Sequence, residues 1–229
     1  MAAGSGGGVS GMDARLVGWA RAVKSRRGGS GAVLWLFTDA RRLPDPLPAI
    51  ARLPPGLGGV VLRDDGLAGR AALGRRVATL CRARRLALSV AGDWRLAAAL
   101  HAGLHLRAGR RPPGAPRGLP ALTSSAHGMA DLVRARRAGV AVAFLSPVFA
   151  TASHPAGRAL GPLRWGRMAG AAAGAAALGG VNGASVRRLP WRICRAVGAI
   201  GALDQRDRRQ DDVAVVQLSA PESPHFTGS

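Results

Sequence analysis

The segment VAVAFLSPVFATASHPAGRALG (residues 140–161) contains, in order, the elements of a β-strand, a polar loop and the approach to a helix. Its apolar run has the length of a strand and stops at a Ser-Pro corner. Small, hydroxyl-bearing and histidine residues follow (Thr151, Ser153 and His154), and a glycine-rich return leads toward the next helix. The segment therefore predicts a strand that opens into a candidate ligand-binding loop.

The same pattern recurs along most of the chain. Apolar runs of strand length also occur at VLWLF (33–37), GVVL (59–62), LALSV (86–90), GLHL (103–106), PALT (120–123), AAAL (175–178) and AVGAI (196–200). Segments with helical spacing separate most of them, such as residues 67–84 and 129–137, whereas the proline-rich residues 107–119 predict a loop in place of a helix. Eight strands alternating with helices predict an α/β fold of the (β/α)8 TIM barrel type. The alternative is an open doubly wound sheet, but no G-x-G-x-x-G motif follows a strand.

Composition divides the chain into three parts. We expect residues 1–30 to form a flexible N-terminus with a short helix over residues 13–27, residues 31–203 to form the barrel, and residues 204–229 to form a flexible C-terminal tail. The N-terminus lacks the apolar core of a signal peptide, and the run AGAAAGAAALGGV is too short and too weakly apolar to cross a bilayer. We therefore expect a cytoplasmic protein with no membrane partner.

The chain is strongly basic, with 33 Lys and Arg against 12 Asp and Glu and a formal net charge of +21. Clustered cations favour nucleic acid as a partner. However, Lys24 is the only lysine, the arginines are spread along the chain, and no nucleic-acid-binding motif accompanies them. This composition is typical of a GC-rich genome, so a basic nucleic-acid-binding scaffold is kept only as the second alternative. Cys81 and Cys194 have no metal-site spacing and are interpreted as buried, small apolar residues.

A second strand end repeats the loop pattern. AAALGGVN (175–182) places Gly179 and Gly180 after an apolar run and Asn182 where a helix could start. Glycine lets the backbone approach an anion closely, and free N–H groups at a helix start favour negative charge. Together with Thr151, Ser153 and His154, the two glycines predict a phosphate site.

Seven segments, in this order, resemble the thiamine phosphate synthase family, including its thiazole tautomerase branch. They are LWLFTD, GVVLRDD, DWRLAAALHAGLHL, SAHGMADLVRARRAG, FLSPVFATASHP, RALGPL and ALGGVN, and the resemblance spans roughly residues 33–203. It implies the same barrel and small phosphorylated substrates. The implied reaction joins an aminomethylpyrimidine diphosphate to a thiazole phosphate and releases pyrophosphate with the help of Mg²⁺.

The resemblance also implies roles for individual residues. Arg63 matches the strand-two arginine that binds pyrophosphate. The residues implied in phosphate or pyrophosphate binding are Arg63, Ser125, Thr151, Ser153, His154, Gly179, Gly180, Ile200 and Gly201. His127, in S-A-H, matches the position of the acid/base histidine of the tautomerase branch, a role that suits imidazole at neutral pH. A turn-capping role for His127 is equally consistent with the sequence.

Several positions depart from the family pattern. Val61 occupies the position of a family glutamine, and Asp65 and His154 occupy the positions of family lysines. Ala91 and Gly92 replace an Asn-Asp pair, and Arg110 replaces a metal-binding aspartate. Two metal carboxylates and two pyrophosphate-binding lysines are therefore missing. Mg²⁺ remains a candidate cofactor, with Asp93 as a weak candidate ligand beside Asp64 and Asp65.

These departures leave three functions open. The first is a transferase with several substituted catalytic positions, with Arg63 and His127 as its candidate catalytic residues. The second is a thiazole tautomerase or a catalytically reduced phosphate-binding barrel. The third is the nucleic-acid scaffold described above. The sequence also leaves open whether the chain forms a homo-oligomer. His105, within a strand, is interpreted as a core histidine with a satisfied hydrogen bond.

Overall fold

Eight parallel strands close into a barrel, each hydrogen-bonded to the next, with the last strand paired to the first. The computed structural model describes residues 12–28, 31–63, 66–151, 159–172 and 174–203. The strands are β1 (Leu34–Phe37), β2 (Gly58–Leu62), β3 (Ala87–Ala91), β4 (Gly103–Leu106), β5 (Ala121–Ala126), β6 (Val142–Leu145), β7 (Ala175–Ala177) and β8 (Cys194–Ala199). The predicted α/β barrel is confirmed.

In the described ranges, six helices and two short 3-10 turns accompany the strands. The helices are α1 (Ala14–Arg26), α2 (Leu47–Arg52), α3 (Arg70–Ala83), α4 (Trp94–Ala99), α5 (Met129–Arg137) and α6 (Gly161–Ala171), and the 3-10 turns are Val186–Arg188 and Gly201–Leu203. Residues 107–119 contain no helix, as predicted. The strand boundaries differ most at β5, which continues to Ala126 because Ser124 and Ser125 pair with Ala143 and Phe144 of β6.

Aromatic residues fill the interior of the barrel. Phe144 lies edge-to-face against Phe37, with ring centroids 4.8 Å apart, and against Trp35 at 5.9 Å. Small residues on neighbouring strands make room for these rings: a Cβ at Gly59 would lie 2.6 Å from the Trp35 ring, and one at Gly198 would lie 2.7 Å from the Phe37 ring. Few aromatic residues therefore suffice to pack the centre of the barrel.

A second, larger layer of Leu, Val and Ala packs between the strands and the surrounding helices. Cys81 and Cys194 belong to this layer, and burial raises the pKa of both thiols to about 12, as expected for small buried residues. None of the helices in the described ranges is both long enough and apolar enough to cross a lipid bilayer.

Helix α1 precedes the first strand and is attached to the barrel at both ends. At its start the Asp13 carboxylate accepts hydrogen bonds from the N–H groups of Arg15 and Leu16, which is a typical N-cap. The same carboxylate accepts the N–H of Gly183 at 2.5 Å, so it also holds the chain just beyond β7. Near the other end, the Lys24 ammonium donates to the carbonyl oxygens of Gly31 and Gly56.

Candidate functional site

The carboxyl ends of all eight strands meet at one mouth of the barrel, which is where functional residues of such folds lie. The loops beyond β6, β7 and β8 form one half of this mouth. The loops beyond β2, β3 and β4 form the other half. The two halves differ in the groups that they offer to a ligand.

The turn beyond β7 is built around Gly179 and Gly180, which have φ angles of +92° and +65°. A Cβ at Gly179 would lie 2.8 Å from the Cβ of Pro147, and one at Gly180 would lie 2.5 Å from the carbonyl oxygen of Ala150. Both the backbone conformation and the close packing therefore require glycine at these two positions.

Hydrogen bonds fix the position of this glycine turn. The loop beyond β6 runs alongside it, with the N–H of Val148 donating to Leu178 at 2.9 Å and the N–H of Phe149 donating to Gly179 at 3.1 Å. Within the described part of the chain, the N–H groups of Gly179 and Gly180 donate to no protein acceptor. Two consecutive, rigidly held N–H groups of this kind can bind an anion.

The chain beyond the glycine turn is also ordered by its own side chains. The Asn182 side-chain oxygen accepts the N–H groups of Ala184 and Ser185, but the helix predicted to start at Asn182 is absent: a short 3-10 turn follows at Val186–Arg188, with Ser185 before it. The Ser185 hydroxyl donates to the carbonyl of Gly180 at 2.9 Å. These bonds stiffen the turn without using its N–H groups.

Ile200 and Gly201 directly follow β8 and lie at the strand end next to the glycine turn, since Ala177 of β7 is paired with Val197 of β8. The structure thus brings four of the predicted phosphate-binding residues to adjacent strand ends. Thr151 ends the described part of the loop beyond β6 and is half-buried. Ser153 and His154 lie outside the described residues.

His127 lies at the mouth, directly after β5, and is exposed. Its Nδ1 atom is 3.1 Å from the carbonyl oxygen of Ser146, which can only accept, so Nδ1 carries the proton. The Nε2 atom of the neutral ring is then left to accept a proton. The N–H of His127 donates to the Asp131 carboxylate at 2.8 Å, which caps the start of α5. His127 therefore orders its turn through its N–H and its Nδ1 atom, and its acid/base role stays a prediction.

Arg63 follows β2 on the other half of the mouth. Its guanidinium lies over the Phe37 ring at 5.9 Å and forms an ion pair with Asp39 at 3.1 Å, and 41% of the side chain is exposed. Its N–H donates to the buried Thr38 hydroxyl at 3.0 Å. Arg63 is therefore held at the mouth with part of its charge available to a ligand.

His105 of β4 is buried beneath this half of the mouth, as predicted. Its Nδ1 atom is 2.8 Å from the Thr123 hydroxyl, which in turn is 2.7 Å from the Ser89 hydroxyl. Burial, with a smaller contribution from the positive charge of Arg63, lowers the pKa of His105 to about 4. His105 is therefore neutral at physiological pH.

A cavity of about 610 Å³ opens above His105, between the loops beyond β3 and β4. Four arginines and one carboxylate line it: Arg70, Arg107, Arg110, Arg111 and Asp93. The sequence places Arg107 and Arg110 after the fourth strand, with Arg110 as a departure from the family pattern, but no cavity was predicted for them, and Arg70 and Arg111 were not identified. The run RAGRR, directly after the strand GLHL, carried the signal, since functional side chains follow strand ends in this fold.

The donor groups of this cavity do not fit Mg²⁺. The Asp93 carboxylate accepts the N–H of Leu96 at 2.9 Å as the N-cap of α4 and lies 3.8 Å from the Arg70 guanidinium. No cluster of three His, Cys, Asp or Glu side chains suited to a metal is present in the described ranges. Mg²⁺ prefers several oxygen ligands, and four guanidinium groups repel a dication. The metal-ligand role of Asp93 stays a prediction, and Asp64 and Asp65 lie outside the described residues.

Ser125, predicted to bind phosphate, lies near the end of β5. Its hydroxyl accepts the N–H of Ala108 at 3.2 Å, while the neighbouring Ser124 hydroxyl accepts the N–H of Gly109 at 2.9 Å. Ser125 thus holds the turn beyond β4, a contact that the sequence reasoning did not anticipate. Its predicted role toward phosphate is not tested by this contact.

Comparison with known proteins agrees with this geometry. The family model for thiamine monophosphate synthase matches residues 45–203, more than half of the chain. A thiamine phosphate pyrophosphorylase from Pyrococcus furiosus is similar in structure, with a TM-score of 0.61 at 19% identity over 81% of this chain and 96% of that chain. No curated protein sequence matches the chain.

Two further solved structures share the fold. A thiamine phosphate pyrophosphorylase from Bacteroides thetaiotaomicron has a TM-score of 0.53 at 16% identity, over 83% of this chain and 100% of that chain. An HpcH/HpaI aldolase from Desulfitobacterium hafniense has a TM-score of 0.52 at 14% identity, over 90% and 98%. At these identities the structural similarities show the barrel fold alone.

Proposed function

Because the chain belongs to the thiamine monophosphate synthase family, we propose that it acts in thiamine biosynthesis by binding a thiazole phosphate at the mouth of its barrel and joining it to an aminomethylpyrimidine diphosphate. In this reaction the thiazole nitrogen bonds to the methylene carbon of the pyrimidine. The carbon–oxygen bond to the diphosphate breaks, and pyrophosphate leaves with the electron pair. The protein must hold the two partners in line and stabilise the charge of the leaving group.

The glycine turn beyond β7 is the observation that carries this proposal. Gly179 and Gly180 offer consecutive N–H groups in a turn that the loop beyond β6 already holds in position. A preformed site of this kind needs little ordering when a ligand binds. Such N–H groups suit the phosphate of the thiazole, and we infer that the heterocycle then lies toward the centre of the mouth.

Arg63 is the proposed contact for the departing pyrophosphate. Its ion pair with Asp39 and its position over Phe37 fix the side chain at the mouth before any ligand binds. A guanidinium can donate two parallel hydrogen bonds to phosphate oxygens, so it stabilises the charge that develops on the leaving group. Since two lysines of the family pattern are absent and each such donor is worth about 10²-fold in rate, we expect slow turnover.

The full chain, incubated with both substrates, tests this proposal. We expect slow formation of thiamine phosphate, measured by chromatography, and at least about a 10²-fold slower rate for Arg63→Ala, because a donor to the leaving group is lost. Arg41→Ala is the matched control, since Arg41 is an exposed arginine on the neighbouring loop.

Thermal unfolding with thiazole phosphate alone separates the two parts of the proposal. A ligand at 100 times its Kd stabilises the folded state by about 2.7 kcal/mol and raises the Tm. A raised Tm with no thiamine phosphate formed would reject the condensation and leave a binding protein. An unchanged Tm would reject the thiazole phosphate site itself.

A further inference from the structure

The cavity between the β3 and β4 loops is lined mainly by positively charged side chains. Four guanidinium groups face a volume of about 610 Å³, against one carboxylate that already caps α4. His105 at its base adds no charge at neutral pH, because its pKa is lowered to about 4. The cavity is large enough for a small phosphorylated ligand, and its charge attracts anions.

The turn that carries two of these arginines is held rigidly. Arg107 and Arg110 face each other across an antiparallel bridge, which directs their side chains to the same side of the turn. Ala108 and Gly109 at its tip have φ angles of +50° and +74°. A Cβ at Gly109 would lie 2.5 Å from the backbone nitrogen of Ala135, so the turn lies directly against α5.

Contacts from two other elements, β5 and α5, hold the same turn. The Ser124 and Ser125 hydroxyls of β5 accept its N–H groups, and the Arg134 side chain of α5 donates to the carbonyl of Ala108 at 3.0 Å. The two arginine side chains of the turn therefore project from a fixed base, which lowers the cost of arranging them around a ligand.

The other two arginines are fixed by hydrogen bonds to the backbone. Arg70 donates to the carbonyl of Ala91 at 2.7 Å, and only 11% of its side chain is exposed. Arg111 donates to the carbonyls of Pro116 and Leu119 at 3.2 and 3.1 Å. Both guanidinium groups therefore lie at the wall of the cavity with their positions fixed by these bonds.

We propose that this cavity binds the diphosphate group of a ligand directly through its arginines, without a divalent metal ion. The guanidinium groups of Arg107 and Arg110 supply the positive charge and the hydrogen bonds, and Arg70 and Arg111 add a positive potential behind them. The identity of the natural ligand, an aminomethylpyrimidine diphosphate, rests on the proposed function. The binding of a diphosphate does not.

The experiment is calorimetry of the full chain with inorganic pyrophosphate, in EDTA and again with Mg²⁺. We expect pyrophosphate to bind in EDTA, and the Kd not to tighten when Mg²⁺ is added. Arg110→Asp should weaken binding about tenfold to a hundredfold, since it removes a charged donor and adds a repelling carboxylate. Arg117→Asp is the matched control, because Arg117 is exposed on the same loop and does not line the cavity.

The outcomes distinguish this proposal from the proposed function. Binding that requires Mg²⁺, or equal weakening by the Arg110 and Arg117 variants, would overturn the arginine site. Thiazole phosphate binding should be unchanged in Arg110→Asp, because that ligand belongs to the glycine turn. If the wild-type chain binds pyrophosphate but does not bind thiazole phosphate, the proposed function is rejected and the arginine site is not. If Arg110→Asp does not fold, Arg110→Gln gives the same comparison with a smaller change.

Discussion

The two halves of the barrel mouth offer charge in different ways. The half beyond β6, β7 and β8 is built from backbone, with N–H groups at Gly179 and Gly180 held by packing against Pro147 and Ala150. The half beyond β2, β3 and β4 presents arginine side chains on loops and at the start of α3. A backbone N–H donor is retained when the side chain of its residue is changed, provided that the turn keeps its shape. A side-chain donor is lost or gained by a single substitution.

Most of the departures inferred from the family resemblance fall in the arginine half. Val61, Ala91, Gly92 and Arg110 lie at or beyond β2, β3 and β4, whereas His154 follows β6 in the chain. Arg110, where the family pattern has an aspartate, adds a guanidinium group to the arginine half.

The strongest test of the backbone half is Gly180→Ala. The new Cβ combines a φ of +65° with an overlap at the Ala150 carbonyl, so we expect a loss of about 3 kcal/mol or more in the free energy of unfolding. Thiazole phosphate binding should be lost with the turn. Urea denaturation measures the first effect and calorimetry the second.

Gly114→Ala is the matched control for this prediction. Gly114 lies on the loop of the arginine half with a φ of +72°, and a Cβ there would meet no atom within 4 Å. Gly114→Ala should lower the free energy of unfolding by only about 1 kcal/mol, which is the cost of placing alanine in a left-handed conformation. Equal losses for the two variants would show that the close packing around Gly180 contributes nothing.

The second prediction concerns His105, beneath the arginine half. Its pKa in the folded protein is about 4, below the ordinary 6.5, so between these pH values the unfolded chain takes up a proton that the folded chain excludes. The contribution of His105 to the free energy of unfolding is therefore fully present above about pH 6.5 and falls as the pH drops below it. From pH 6.5 to pH 5 the loss should be about 2 kcal/mol.

Replacing the imidazole tests this pH dependence. His105→Asn should be less stable at pH 7 and should lose about 2 kcal/mol less than the wild type between pH 7 and pH 5, measured by urea denaturation. His101→Asn, at an exposed histidine just after α4, should keep the wild-type pH dependence. If the stability of His105→Asn depended on pH as steeply as that of the wild type, another titrating group would be responsible.

The smallest expected effect tests how far the backbone half depends on α1. Asp13→Ala removes the N-cap and the acceptor for the Gly183 N–H, so we expect a loss of about 1–2 kcal/mol. Asp45→Ala is the control, since the Asp45 carboxylate accepts the nearby N–H of Leu47 and, among the described residues, makes no long-range bond of this kind. If thermal unfolding gives the same loss for both variants, the long-range bond to Gly183 adds no stability.

Much of the fold could be predicted from the sequence because its signals are local. Runs of strand length such as GLHL (103–106) and the proline-rich residues 107–119 agree with the structure. The end of β5 could not be predicted, because Ser124 and Ser125 are polar and belong to a strand only through their pairing with β6.

Only the part of the candidate site that has a local sequence signal was predicted. The glycine turn has a local signature, since two consecutive glycines after an apolar run are visible in the sequence. The arginine cavity forms from residues on three separate segments, and its charge is hidden in a chain that is arginine-rich throughout. The roles of His127, Arg63 and Asp93 toward ligands stay predictions.

The bond between Asp13 and Gly183 has a consequence for the order of assembly during translation. The two residues are 170 positions apart, so this bond can form only after the chain has been synthesised as far as Gly183. During translation α1 therefore lacks this contact while β1 to β7 are made. Its attachment at Gly183 follows the synthesis of the first seven strands.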